Sequence, residues 1–209
     1  MYITMRALIA TLTLLAAVVS ASAQGFTPLD SSTPIPYFVH EGTAGSEYRP
    51  ADRQLAVWAL QAWERIASGP LRFQPSPNES DALIQIHWVA AADGQYGEAR
   101  PLRVGNRRGA AVYIRPDTSA LGPDIARATR SDALMRDTVV YLTCVHELGH
   151  ALGLSHTSDF RDIMFFFGFG GDIPEFFGRY RRQLKTRDDI SKFNGVSDND
   201  TARLRALYR

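Results

Sequence analysis

Between Pro50 and Ala67, Leu55, Trp58, Ala59, Ala62, Trp63 and Ile66 recur at helical spacing. The stripe predicts an amphipathic, core-facing helix. Pro50 suits its first turn, and Gly69-Pro70 stops it. Before it, Tyr37 to His40 in PIPYFVHEG reads as a short strand, and Leu71 to Ser76 after it as a second. In DALIQIHWVAA, Leu83, Gln85 and His87 alternate with Ile84, Ile86 and Trp88, the period of two that marks a strand. The polar, glycine-dotted stretch from Ala92 to Arg108 reads as a loop. It turns near Gly105-Asn106 into a strand from Ala110 to Ile114, which Pro116 ends.

The strongest helical pattern runs from Asp132 to Gly153. Asp132 is its candidate cap, and Leu134, Val139, Leu142, Val145, Leu148 and Leu152 supply its apolar positions. FFFGFGGDIPEFFGRYRRQ then reads as a compact aromatic loop rather than a regular element. VSDNDTARLRALY reads as a last helix, capped by Ser197 and anchored by Leu204, Leu207 and Tyr208. Strands first and the strongest helix later predict an α+β domain with helices packed on a mixed sheet.

Composition changes this picture little. The chain has 209 residues, 45% of them hydrophobic, which suits one globular domain. Residues 1–23 stand apart: Arg6, an apolar run from Ala7 through Val19, then Ala21-Ser22-Ala23 as a cleavage site, together an export signal. Residues 24–209 form the expected single domain, with no transmembrane anchor after cleavage and a secreted or periplasmic destination. Without Arg6, 22 basic side chains face 22 acidic ones, so the chain has no global pull on a polyanion, and no nucleic-acid partner is expected. The basic run Arg179, Arg181, Arg182, Lys185 and Arg187 reads as a solvated face. The one cysteine, Cys144, falls on the core side of its helix, where a thiol behaves as a small hydrophobe.

Candidate chemistry lies in VHELGHALGLSH, which holds three of the five histidines. On a helix, His146 and His150 project from one face and suit adjacent corners of a zinc site. Had the helix continued, His156 would lie about 9 Å further along the axis than His150. The chain must therefore turn back, and Gly153 supplies the place, since glycine enters left-handed backbone without a Cβ penalty. Three imidazoles leave one coordination position open for water, a catalytic layout. Glu147, about 100° round the helix from His146, would take that water's proton and pass one to a departing amine.

HELGHALGLSH matches the metzincin motif HEXXHXXGXXH at every fixed position. HTSDFRDIMF, with Met164 eight residues beyond His156, resembles the methionine turn of the matrixin branch. PIPYFV, the Trp-rich helix, ALIQIHWV, AAVYI and TARLRALY follow the matrixin order. The resemblance implies a zincin-like α+β catalytic domain, with a twisted mixed sheet packed against the active-site helix and a second long helix, plus a C-terminal helix. It implies His146, His150 and His156 as ligands of one catalytic Zn2+, Glu147 as base and Met164 as the floor beneath the imidazoles. By the same analogy, the substrate edge strand includes part of Gly109, Ala110, Ala111, Val112 and Tyr113.

The sequence also departs from the matrixin pattern. It shows no propeptide cysteine to cap the zinc, so the protein is expected either to be exported active or to be restrained by a separate inhibitor protein. The Ala92–Arg108 stretch lacks the His/Asp pattern of a structural zinc. Calcium through Asp93, Glu98 or Asp117 is the alternative there, although six oxygen ligands do not assemble. The activity expected is that of a monomeric zinc endopeptidase acting on peptides or proteins. The competing reading is a zinc-containing protein that holds a partner in its cleft without cutting it.

Overall fold

The computed structural model describes residues 26–69, 71–92 and 96–209. The leader expected at 1–23, Pro70 and Asp93 lie outside the described residues. The fold is α+β: among the described residues, five strands form one mixed sheet with five α-helices around it.

The strands are β1 (Ile35–Val39), β2 (Phe73–Pro75), β3 (Ile84–Trp88), β4 (Gly97–Val104) and β5 (Arg107–Ile114), in the order β2-β1-β3-β5-β4. All pairings are parallel except β4 with β5. The helices are α1 (Asp52–Ala67), α2 (Pro123–Ser131), α3 (Ala133–Ala151), α4 (Ile173–Arg181) and α5 (Asp198–Leu207).

One face of the sheet, carrying Val39, Ile84, Ile86, Val112 and Ile114, joins the stripes of α1 and α3 in the core. The Trp63 indole is fully buried and donates to the Val145 carbonyl of α3 at 2.9 Å. Asp52 at the start of α1 pairs with Arg136 of α3, and both are buried. Removing either partner would strand a buried charge, so the pair fixes how the two helices meet.

Three expectations need correction. Gly97 to Val104, read as loop, is strand β4, because its ladder to β5 overrides the weak strand preference of a run containing Gly and Pro101. Consequently the strand holding Gly109, Ala110, Ala111, Val112 and Tyr113 is interior, paired with β3 on one side and β4 on the other, and the edge is β4. Gly109 serves the sheet itself: a Cβ there would collide with the Leu83 carbonyl just before β3. In the third case, part of the aromatic loop is helix α4. Asp172 caps it by accepting from the Glu175 amide, and Phe176, Phe177 and Tyr180 are its buried stripe. Of the three anchors expected on α5, Leu204 and Tyr208 are buried while Leu207 is 36% exposed.

The edge has a defined polarity. Ala110 donates its amide to the Leu83 carbonyl just before β3, so the Pro101–Ala110 pair shares no hydrogen bond and Pro101 faces outward. By the same alternation, Gly97 and Ala99 present their backbone groups to the open side of β4.

Candidate metal centre

Helix α3 is started by Asp132, whose carboxylate accepts from the amides of Leu134 and Met135. It stops at Ala151 because Gly153 enters the left-handed region at φ 105°. Gly153 donates to the His150 carbonyl and Leu154 to the Gly149 carbonyl, each at 2.9 Å. These two bonds make a Schellman ending. The reversal brings His156 back, with its Nε2 3.1 Å from the Nε2 of His150.

Backbone carbonyls orient two of the rings. His146 Nδ1 meets the Ile163 carbonyl at 2.6 Å, and His150 Nδ1 meets the Leu154 carbonyl at 2.8 Å. A carbonyl only accepts, so Nδ1 carries the proton in both rings and Nε2 presents a lone pair. Burial pushes the His146 imidazole down to about 3, aided by the neighbouring His150. It pushes His150 down to about 4, aided by His156. Burial lowers His156 as well. One nitrogen from each ring falls within 4.8 Å of the others. Ligands about 2.0–2.1 Å from a tetrahedral zinc lie roughly 3.4 Å apart. Three neutral imidazoles with lone pairs facing one another fit a divalent cation in spacing and in chemistry.

Glu147 is buried beside them, on the β4 side of α3. Burial raises its carboxyl to about 8, opposed by the charge of Arg115 and assisted by that of Glu98. A Cβ on Gly97 would lie 2.6–2.9 Å from the Glu147 side chain, so only glycine lets the edge strand pass so close.

Met164 is fully buried under α3, where its sulfur fills the space that a side chain on Gly149 would need. The turn that carries it is closed by Thr157, which donates to the Met164 carbonyl at 2.9 Å and accepts from Phe166 at 3.1 Å. The Phe166 ring lies 4.8 Å from the His156 ring, and Phe26 stacks on His150 at 6.2 Å. Phe165, Phe176 and Phe177 are core, while Phe169 is exposed.

Several residues near the site do other work. Cys144 is buried in α3, and burial raises its thiol well above the ordinary range, which leaves it unreactive. The basic run is largely paired within the chain: Arg181 to Asp132 at 2.7 Å, Arg182 to Glu175 at 2.6 Å and Arg187 to Asp137 at 2.8 Å, with Arg179 over the Phe176 ring. Of the calcium candidates, Glu98 is held by Arg100 and Asp117 accepts from Ser119, and neither joins a cluster among the described residues.

Gly149 and Asp200 were not singled out by sequence, and Gly97 was read only as part of a loop, not as a neighbour of Glu147. Asp200 accepts from the Ile163 amide at 2.6 Å. The one signal for it was its place in the Ser-x-x-Asp start of α5, where Ser197 accepts from the Asp200 amide.

The family described as Matrixin matches residues 32–169. A macrophage metalloelastase from Oryctolagus cuniculus is 33% identical over 109 residues, which is 51% of this chain. The chain spans 22% of the length of that relative.

Proposed function

Because the chain belongs to the matrixin family, we propose that it is a zinc-dependent endopeptidase that cuts internal bonds of peptides or proteins. The observation that carries this reading is the convergence of the His146, His150 and His156 nitrogens beside the buried carboxyl of Glu147. A protein that only held a partner would have no use for that carboxyl, so the arrangement supports hydrolysis.

His146, His150 and His156 would hold the zinc ion through ring nitrogens, with Nε2 presented by His146 and His150. When bound, zinc supplies a Lewis acid for the scissile carbonyl and lowers the pKa of the attacking water. Glu147 takes the proton of the attacking water on its carboxylate and returns a proton to the leaving amine. Burial makes that carboxyl more basic than an exposed one, which favours proton uptake. The carbonyls of Ile163 and Leu154 keep His146 and His150 in one tautomer throughout. Met164 supports them from below.

Substrate would lie antiparallel along β4, hydrogen-bonded to the outward backbone groups of Gly97 and Ala99. The strand carrying Gly109 to Tyr113 has no free edge to offer. No helix among the described residues is long and apolar enough to cross a membrane. With a cleaved leader at 1–23, this reading places residues 24–209 outside the cytoplasm as one catalytic domain.

The test is digestion of a mixed peptide library by purified protein, with and without a chelator, alongside Glu147→Gln. Zinc-dependent cuts that vanish in Glu147→Gln while its zinc content persists support the reading. Full zinc occupancy with no cleavage of peptides or proteins overturns it.

A further inference from the structure

On the sheet face away from α1 and α3, a second group of ligating side chains comes together. His40 follows β1, and its amide donates to the Ile86 carbonyl at 2.9 Å, which carries the β1–β3 ladder one residue further. That register sets His40 beside His87 of β3, with rings stacked at 4.0 Å and 21° apart. On its other side His87 stacks on Tyr113 of β5 at 5.0 Å.

Above the histidines lies Glu79, the first residue of a short 3-10 turn, Glu79–Asp81. Gln85 of β3 donates to the Glu79 carbonyl at 3.0 Å and fixes the turn over this face. The Glu79 carboxylate then lies 3.5 Å from His40 Nε2. That nitrogen is buried and has no hydrogen-bond partner among the described residues. A buried, unpartnered imidazole nitrogen needs an explanation.

One nitrogen from each imidazole and a Glu79 oxygen lie within 4.8 Å of one another. The His40–Glu79 spacing already matches the roughly 3.4 Å between neighbouring ligands of a tetrahedral zinc. A shared ion must lie near the plane of each imidazole, so closing the site requires the His40 ring to turn out of its stack on His87, with the half-exposed Glu79 side chain following it. Burial and the neighbouring His40 also keep His87 below its ordinary pKa, in the neutral form that ligates.

We propose that His40, Glu79 and His87 form a second zinc site, separate from the histidines of α3, with water in the fourth position. Bound there, the ion would tie the turn before β3 to the ends of β1 and β3. The proposal does not depend on peptidase activity, since it concerns the opposite face of the sheet.

The experiment measures zinc per chain by mass spectrometry after equilibration with limiting Zn2+ and gel filtration. Wild type should carry two equivalents. The double variant His40→Asn/His87→Gln should carry one and keep its peptide cleavage. His146→Ala/His150→Ala should also carry one, lost on combination with the first pair. Should the first pair fail to fold, the surface change Glu79→Gln replaces it and should weaken one equivalent at least tenfold. Cobalt substitution gives a second readout, since two sites contribute separate visible absorption bands. A single equivalent in wild type that survives His40→Asn/His87→Gln, or is unmoved by Glu79→Gln, overturns the proposal and leaves the α3 site untouched. A single equivalent that survives His146→Ala/His150→Ala but not the loss of His40 and His87 overturns the α3 reading instead.

Discussion

Asp200 accepts a 2.6 Å hydrogen bond from the amide of Ile163, the residue whose carbonyl receives the Nδ1 proton of His146. One residue thus links the start of α5 to the orientation of an imidazole on α3. Asp200→Ala leaves the Ile163 amide buried without an acceptor, a loss of about 1–3 kcal/mol in stability. It also loosens the carbonyl that sets the His146 tautomer, so zinc affinity should fall about 10- to 100-fold. Asp200→Asn keeps an acceptor oxygen and should bind nearly as wild type. Competition with a chromophoric chelator measures both; wild-type affinity in Asp200→Ala would show that no such link operates.

Gly97 and Glu147 form a second tight pair, with a Cβ on Gly97 lying 2.6 Å from Glu147 Cγ and 2.7 Å from Oε1. Gly97→Ala should displace the carboxyl and lower kcat by about 100-fold, the scale of an ångström's misplacement at a reacting group. Zinc content should not change. Equal losses of kcat and zinc would instead mean that the whole site has collapsed.

Gly149→Ala sets two effects against each other. Alanine improves helix propensity by about 1 kcal/mol over glycine. Against that, the new methyl group would overlap the Met164 sulfur and sit 3.1 Å from Trp63 Cζ2, and both neighbours are fully buried. Overpacking of this kind costs about 1–3 kcal/mol. The balance predicts a lower Tm, readable by calorimetry, whereas a Tm at or above wild type would mean that Met164 yields.

Asp132 gives α3 a pH dependence. Burial pushes its carboxyl up, but Arg181 and the Met135 and Leu134 amides more than offset this, and its pKa lies below the usual 3.8. A depressed carboxyl stabilises the fold above about pH 3.8, and that contribution is lost as pH falls through the lower folded value. Asp132→Ala should cost about 1 kcal/mol at neutral pH, the usual effect of losing a cap. The gap between variant and wild type should narrow below about pH 4 in urea titrations. A gap that stays constant to pH 2.5 would rule out an ionised cap as its source.

Sequence carried some parts of this structure more clearly than others. The α3 histidines were legible because helical spacing and one glycine reversal fix their relation locally, with nothing needed from the rest of the chain. The α1 stripe was legible for the same reason, Trp63 being buried where its period put it. Strand β4 was not, since half of what makes it a strand is the hydrogen-bond ladder that β5 provides. Nor was the interior position of Gly109 to Tyr113, because an alternating run does not tell which neighbours it will have. Helix α4 was hidden by Gly178 and a crowd of phenylalanines, although the Asp172-Ile173-Pro174 start was written in the chain. Asp200 escaped notice because its partner is 37 residues away.

The outward-facing Pro101 has a consequence for the protein in solution. An exposed strand normally invites another copy to zip against it, rung by rung, into a growing assembly. On β4 the rung at Pro101 offers a carbonyl and no N–H. A short guest can still settle on Gly97 and Ala99, but a long one meets a missing tooth. The same border therefore resists the rung-by-rung growth that a fully paired edge would support.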